Sequence, residues 1–534
     1  MLRRLLIANR AEIAARVIRT ARARGTETVA VYSDADVDLP YVREADVAVH
    51  LPGSSATETY LRADLLVDAA RATGADSVHP GYGFLSEQAS FAAACEEAGL
   101  TFVGPPSRVI ESMGSKLAAK ATMAAAGVPV LEGAAVPPGA SRDAVEARGA
   151  RIGYPLLVKA SFGGGGRGMR VVERAGDLAT EVDGASREAQ AAFGDGTVFM
   201  ERLVVAPRHV EIQVLGDVHG TVTHLFEREC SIQRRHQKLL EESPSPGISD
   251  ATRAAMIEAA VAGARAIGYV NAGTVEFVVD QDERFYFLEV NTRLQVEHAV
   301  TELVTGLDLV ELQLQVAEGR PLDERTLGAT THGHAIEARL YAEDPDDGYL
   351  PTSGRLTLFD VPVTDGVRVD AGYETGSVVS TNYDAMLAKV VAWAPTRAEA
   401  VARLRAALRA ARLHGLTTNR DLLVGVLGER EYEEGVTDTA FLDRHEPAAL
   451  AGAARGQASH LLCVVAALWQ RLFDRPRSPQ PAGIPAAWRN VGPADQPHRY
   501  LVHGELHEVL ITGPHGARVI LLDGRRVAVG RVDP

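Results

Sequence analysis

Apolar and polar positions in the first hundred residues switch between two periods. Leu5-Leu6-Ile7-Ala8 is a short apolar run, and Ala11 to Arg24 repeats its apolar residues at helical spacing. Thr28 to Tyr32 is again a short apolar run, and Leu61 to Ala72 is helical. Strand-length runs alternating with amphipathic helices predict a parallel sheet covered by helices. Ligands in such sheets bind beyond the carboxyl ends of the strands. The glycine-punctuated loop His79-Pro80-Gly81-Tyr82-Gly83-Phe84-Leu85-Ser86-Glu87, leading into a helix over Phe91 to Ala98, is a candidate for such a site, a plain Pro-Gly turn being the alternative.

Further on, Ala118 to Ala126 is helical until Gly127-Val128-Pro129 ends it, and Leu156 to Ala160 is a strand. A helix over Ala251 to Ala266 returns to a hairpin of two strands, Gly273 to Val279 and Phe285 to Val290, with a helix around Leu307 to Gly319 behind it. Strands are expected at Ala335 to Tyr341, Gly354 to Leu358, Val367 to Val369 and Lys389 to Trp393, then a helix over Thr396 to Leu413. Ala448 to Phe473 reads as helix, and Arg475 to Pro481 as a proline-rich linker. Four short strands close the chain, Arg499 to Val502, Leu506 to Thr512, Ala517 to Leu522 and Arg526 to Val529, with turns at Gly513-Pro514 and Asp523-Gly524.

Composition narrows the classes. A chain of 534 residues, 46% hydrophobic, can bury several cores. A net charge of −15 argues against a general nucleic-acid or anionic-membrane binder, and no apolar run reaches bilayer length. Nothing resembles a signal peptide. Three widely spaced cysteines, Cys95, Cys230 and Cys463, lack metal-ligand spacing and fit a reduced, cytoplasmic protein.

Three segments carry chemistry. A hairpin centred between Asp282 and Glu283 sets Glu276 directly opposite Glu289, and like charges so placed need a compensating cation. With the Asn291 carbonyl they offer hard oxygens suited to Mg²⁺, the other outcome being an exposed acidic hairpin. Gly163 to Gly166, just after the strand lysine Lys159 and with Lys116 upstream, suits a polyphosphate approached by free backbone N–H groups. It is no P-loop, since no Gly-Lys-Ser/Thr follows. Finally, the alternating strand Arg208 to Val214 precedes the basic run Gln233-Arg234-Arg235-His236-Gln237-Lys238. Glu227, Glu229, Glu241 and Glu242 flank that run, as in a charge-balanced pocket for an anion.

In these residues, with Ile7-Ala8-Asn9-Arg10 and Asn291 to His298, the chain resembles biotin carboxylase, the ATP-grasp component of biotin-dependent acyl-CoA carboxylases. The resemblance runs from Leu2 to about His445. It implies an α/β and α+β multidomain fold: a doubly wound N-terminal domain (1–115) and an ATP-grasp domain (116–330) whose mobile lid covers about 131–204. A mixed β/α carboxylase C-terminal domain (331–446) follows, then a helix and linker (447–486). The small β-rich module (487–534) weakly resembles the linking region between carboxylase and carrier domains.

Position by position, the resemblance implies that Lys116, Lys159 and the backbone at Gly165 and Gly166 hold ATP phosphates. Glu201, Arg202, Leu203 and Val204 form the hinge at adenine, with His209 nearby, His236 at the ribose and Gln233 among the nucleotide contacts. Glu276 and Glu289, helped by Asn291, bind Mg²⁺ or Mn²⁺. Lys238, Arg293, Gln295 and Val296 hold bicarbonate, Glu297 is its general base, and Arg339 stabilises the biotin enolate. The implied partners are a biotin carboxyl carrier domain or protein, a carboxyltransferase subunit and a second copy in a homodimer. No methionine is followed by lysine, so the biotin carrier is expected on another chain or beyond Pro534 in a longer parent. Ala11 replaces a usual glycine, Ala299 a usual proline, and Thr381-Asn382 a proline-containing version. An ATP-grasp ligase with another acceptor, or a non-catalytic scaffold, are the competing readings.

Overall fold

The computed structural model describes residues 1–161, 169–455, 461–473, 496–502, 505–512 and 519–528. Contacts divide the chain into two compact units, Met1–Leu450 and the residues from Ala451 onward. No helix among the described residues is long and apolar enough to cross a membrane.

The first unit opens with the expected parallel sheet. Arg4–Ile7 (β1), Glu27–Tyr32 (β2), Val47–His50 (β3), Ser77–His79 (β4) and Thr101–Phe102 (β5) lie in the order β3-β2-β1-β4-β5. Three of these strands have no expectation in the sequence pattern: β4 and β5 are only 3 and 2 residues long, and the residues of the edge strand β3 alternate between half-buried and exposed. Strand order reverses between β1 and β4, so the loops leaving these two strands meet at the crevice. Asn9 joins them, its Nδ2 donating to the carbonyls of Pro80 (2.8 Å) and Tyr82 (2.7 Å). Ala11 starts the next helix, Ala11–Ala23, at φ +54°. A Cβ is unfavourable in that left-handed region and glycine is not, so Ala11 is a larger departure than a helix-start substitution suggests.

The expected lid region holds a four-stranded antiparallel sheet of Gly133–Val136 (β6), Leu156–Ala160 (β7), Arg170–Val172 (β8) and Val198–Arg202 (β9), ordered β6-β9-β7-β8. Val158, Val198 and Met200 pack there with Val145, Leu178 and Val182 of two covering helices. The glycine loop, with Gly163 to Gly166, lies outside the described residues.

The centre is an eight-stranded antiparallel sheet. It is built from Arg208–Gly216 (β10), Val222–Arg234 (β11), Gln237–Ser243 (β12), Asn271–Val279 (β13), Phe285–Asn291 (β14), His334–Tyr341 (β15), Val367–Ala371 (β16) and Met386–Ala394 (β17). Its order is β14-β13-β10-β11-β12-β15-β17-β16, so one sheet continues across the expected division at 330/331. The strand expected at Gly354 to Leu358 is broken into two short pieces that pair with different partners.

Alternation along β10 is not hydrophobic-in, polar-out. Val210, Ile212 and Val214 pack against Met256 and Ala260 of the helix Asp250–Ala266, while His209, Glu211 and Gln213 are buried on the opposite face. Buried polar groups must be paired. Arg228 does this with 0% exposure, donating to Glu211 (2.5 Å), Gln213 (2.8 Å), Thr301 (2.9 Å) and Thr274 (3.0 Å). This satisfied polar face is the floor of the site.

In the second unit, Cys463, Val464 and Ala467 of the helix Leu461–Phe473 pack against Val509, Ile511, Ile520 and Leu522. These belong to a meander of Gln496–Val502 (β18), Glu505–Thr512 (β19), Val519–Leu522 (β20) and Arg525–Val527 (β21). The Asp523-Gly524 turn has φ +50° and +76°, as an Asp-Gly hairpin requires. The helix expected over Ala448 to Phe473 is two helices, Pro447–Arg455 and Leu461–Phe473. The expected linker and the Gly513-Pro514 turn lie outside the described residues.

Candidate active site

Glu276 and Glu289 do stand directly opposite each other on β13 and β14. The register reaches that pairing by an unexpected route. Phe277 faces Phe287 and Val279 faces Phe285, so the register shifts by one between Glu276 and Phe277, with Leu288 as the extra residue. Such bulges re-aim side chains beside active sites. Burial and the neighbouring Glu276 push the Glu289 carboxyl up, with Lys116 opposing. Burial acts on Glu276 the same way, but Lys238 and His209 hold it well below the usual range.

Glu276 is ringed by donors. Its Oε1 accepts from Asn291 Nδ2 (2.8 Å), Lys238 Nζ (3.0 Å) and Gln295 Nε2 (3.2 Å), and its Oε2 lies 2.9 Å from His209 Nε2. The Asn291 carbonyl is not turned to the carboxylates as expected. It accepts from Arg293 Nη2 at 3.0 Å. Exchanging the two ends of the amide would complete a three-oxygen set. The donor chemistry therefore fits a hard divalent cation: a buried carboxylate and a half-buried one face each other, and the repulsion between them is of the kind a cation relieves.

Lys238 is the hub of the anion side. The basic run is a hairpin whose tip, Arg235 and His236, has φ +47° and +68° and is exposed. Arg234 turns away to Glu343 (2.8 Å) and stacks over Tyr349. Lys238 alone reaches inward, its Nζ donating to Glu297 (2.5 Å), Glu211 (2.7 Å) and Glu276. The flanking acids sort likewise. Glu227, Glu229 and Glu242 pair with Arg253, Arg208 and Arg397, leaving Glu241 in the pocket.

Arg339, on β15, bridges two carboxylates, donating through Nε to Glu241 and through Nη2 to Glu297 at 2.9 Å. Burial drives both acids upward, and the pair splits. Lys238 and Arg339 override burial to hold Glu297 well below the carboxylate range, whereas Glu241, with Glu297 adding to its burial, is pushed up to about 7. Two acids driven apart around one arginine is an arrangement suited to moving a proton.

Arg293 is anchored by Glu87 (3.0 Å), Asn291 and Gln295. The Val296 carbonyl accepts from Lys389 at 2.8 Å. Glu201 sends its side chain to Lys159 and Lys120, and its own carboxyl is held low by them against burial. Lys116 is lowered by burial, with Glu289 opposing. Arg202, Leu203 and Val204 line a cavity of about 530 Å³ with Leu131, Tyr154 and Tyr286. Gln233 is buried directly across from Lys238, and His236 sits at the exposed tip. Gly165 and Gly166 lie outside the described residues.

Four groups escaped the sequence reading as site residues. Glu211 had a signal, standing two residues from His209 on one strand face. Glu87 lies within a quoted motif, and Glu241 within the quoted flanking acids. Lys389, distant in sequence from Val296, had none.

The same conclusion comes from related proteins. Residues 1–110 match the biotin carboxylase N-terminal domain, 115–325 the ATP-binding domain of the carbamoyl-phosphate synthase L chain, and 337–444 the biotin carboxylase C-terminal domain. The chain is 46% identical to biotin carboxylase 2 of Bacillus subtilis, over 83% of this chain and 100% of that one. It is 48% identical to the mitochondrial methylcrotonoyl-CoA carboxylase subunit alpha of Arabidopsis thaliana over 83% of this chain, and spans 60% of that longer protein. The biotin carboxylase domain dimer of Hydrogenobacter thermophilus 2-oxoglutarate carboxylase, solved with MgADP, ADP and bicarbonate, superposes with a TM-score of 0.81. It is 41% identical, covering 84% of this chain and 99% of that one. A doubly wound sheet, an ATP-grasp core and a carboxylate-cation pocket, matched over the whole of a bacterial relative, have one reading: the chain belongs to the biotin carboxylase family of ATP-dependent ligases.

Proposed function

We propose that this chain carboxylates biotin, using ATP and bicarbonate through carboxyphosphate, as the first half-reaction of an acyl-CoA carboxylase. The observation that carries this reading is Glu297 held between Lys238 and Arg339 beside the facing acids Glu276 and Glu289. Mg²⁺ or Mn²⁺ would be held by Glu276 and Glu289 with Asn291 turned, supplying charge neutralisation at the phosphates. Lys116, Lys159 and the backbone at Gly165 and Gly166 hold the phosphates, and the hinge Glu201 to Val204 meets adenine beside its cavity. His209, Gln233 and His236 border the nucleoside.

Lys238, Arg293, Gln295 and Val296 hold bicarbonate, and Glu297 takes its proton so that its oxygen attacks the γ-phosphate. As it rests here, Glu297 is a weak base, saturated by two cations. A bicarbonate that draws Lys238 toward itself removes one of them and raises Glu297 toward a useful basicity. Carboxyphosphate then splits to CO₂ and phosphate in a site closed to water. The phosphate removes the ureido proton of biotin, and Arg339 stabilises the enolate oxygen with a planar, permanent charge. Biotin comes on a carboxyl carrier domain or protein, and a carboxyltransferase takes the carboxyl group onward. The β-rich module is read as part of the subunit-linking region, the chain as a homodimer, and its three buried thiols suit a reducing compartment. ATP hydrolysis that requires bicarbonate and divalent metal and rises with free biotin supports the reading. Turnover indifferent to bicarbonate refutes it.

A further inference from the structure

Lys389 is a lysine with 0% side-chain exposure, outside the set of residues expected to touch substrate. It stands on β17 directly opposite Arg339 on β15 and opposite Asp370 on β16. Two cations set directly opposite repel, and burying an amine costs several kcal/mol (roughly) before any pairing. An apolar residue would fill the position without either cost. What the amine gains is specific: its Nζ donates to the Val296 carbonyl at 2.8 Å and lies 3.5 Å from Glu12 Oε2. Glu337 and Asp370 also face it electrostatically. The Glu12 and Glu337 carboxyl oxygens make no other hydrogen bond, and burial pushes both groups up, Glu12 to about 7, with Lys389 opposing in each case.

The two opposed cations therefore grip consecutive residues of one turn. Arg339 takes the Glu297 carboxylate, and Lys389 takes the carbonyl just before it. The peptide joining Val296 to Glu297 is planar, so holding its oxygen fixes the N–H and the side-chain origin of Glu297. Glu297 is also the N-cap of the helix His298–Thr305, which ties that orientation to a rigid element. We propose that Lys389 is a positioning residue for biotin carboxylation, clamping the Val296–Glu297 peptide so that the base and its bicarbonate contacts keep their geometry. The inference rests on the carboxylase reading above. Glu12, on the first helix, seats the clamp.

The test uses the full chain with Lys389→Met, which keeps length and removes the charge, Lys389→Arg, and Glu12→Gln. Displacing a reacting group by 1 Å costs on the order of 10²-fold. Lys389→Met should therefore lower kcat/KM for bicarbonate by about that factor while KM for ATP stays within about twofold. Lys389→Arg should recover part of the loss and Glu12→Gln should show a weaker loss of the same kind. Amide hydrogen exchange at 297–300 should quicken in Lys389→Met. Unchanged bicarbonate kcat/KM and unchanged exchange overturn the clamp. If Lys389→Met does not fold, an unaltered bicarbonate kcat/KM in Glu12→Gln overturns it instead. An unsubstituted protein with no bicarbonate-dependent turnover refutes the carboxylase reading, and the exchange measurement then still decides the clamp.

Discussion

Replacing Arg339 by methionine removes one cation from two buried acids at once. The methionine keeps an unbranched apolar stem but lacks the guanidinium, so the bonds to Glu241 and Glu297 disappear. Breaking a buried pair by deleting one partner costs about 3–5 kcal/mol. Here the loss depends on pH. Glu297 is held below its unfolded value of about 4.3, so it contributes stability above that pH and loses it as pH falls through the depressed folded value. Without Arg339, Lys238 and Arg228 remain and the contribution shrinks. Glu241, already pushed up to about 7, moves higher, so its charged form is more unfavourable at neutral pH and the deficit fades on protonation. Unfolding by denaturant should show the largest deficit at about pH 8 and a smaller one at about pH 5, where Glu241 is protonated but the Glu297 share persists until the pH falls below about 4.3. The same protein should bind ATP normally but form no carboxybiotin. An equal deficit at both pH values would refute the electrostatic account, and near-normal carboxylation would refute the role of Arg339.

Three further outcomes are expected. Glu297→Gln keeps the hydrogen-bonding shape but cannot take a proton, so bicarbonate-dependent ATP hydrolysis should fall on the order of 10²–10⁴-fold, with nucleotide affinity by calorimetry unchanged. Chelating divalent metal should abolish turnover, and Glu289→Gln should require a higher Mg²⁺ concentration for half-maximal rate, as read by metal titration. Ala11→Gly relieves a left-handed alanine and should stabilise the fold by about 1 kcal/mol, measured by denaturant unfolding; no gain would show that the φ of +54° carries no strain.

What could be read from residues alone depended on distance along the chain. The facing of Glu276 and Glu289 was legible because a period of two and a short polar turn determine it, yet the bulge at Leu288 was not. It trades a residue between turn and ladder without altering the pattern. The parallel sheet was visible in β1 and β2, whose apolar runs are largely buried, and invisible at β4 and β5, too short to show a period, and at β3, whose edge position leaves it half-exposed. The roles of Glu87 and Lys389 arise from contacts between segments 206 and 93 residues apart, for which a single sequence holds no local sign. The basic run shows the converse. Its charges looked like one pocket, but two left-handed residues at its tip send Lys238 inward and Arg234 to Glu343.

The central claim is that one pocket holds magnesium nucleotide and bicarbonate side by side. A crystal structure of this protein with MgADP and bicarbonate tests it most directly. The account predicts metal between Glu276 and Glu289, and the bicarbonate oxygens within hydrogen-bonding distance of Arg293 and Lys238, with Glu297 released from Lys238. Nucleotide bound elsewhere, or Lys238 still locked on Glu297 with the anion in place, would contradict it.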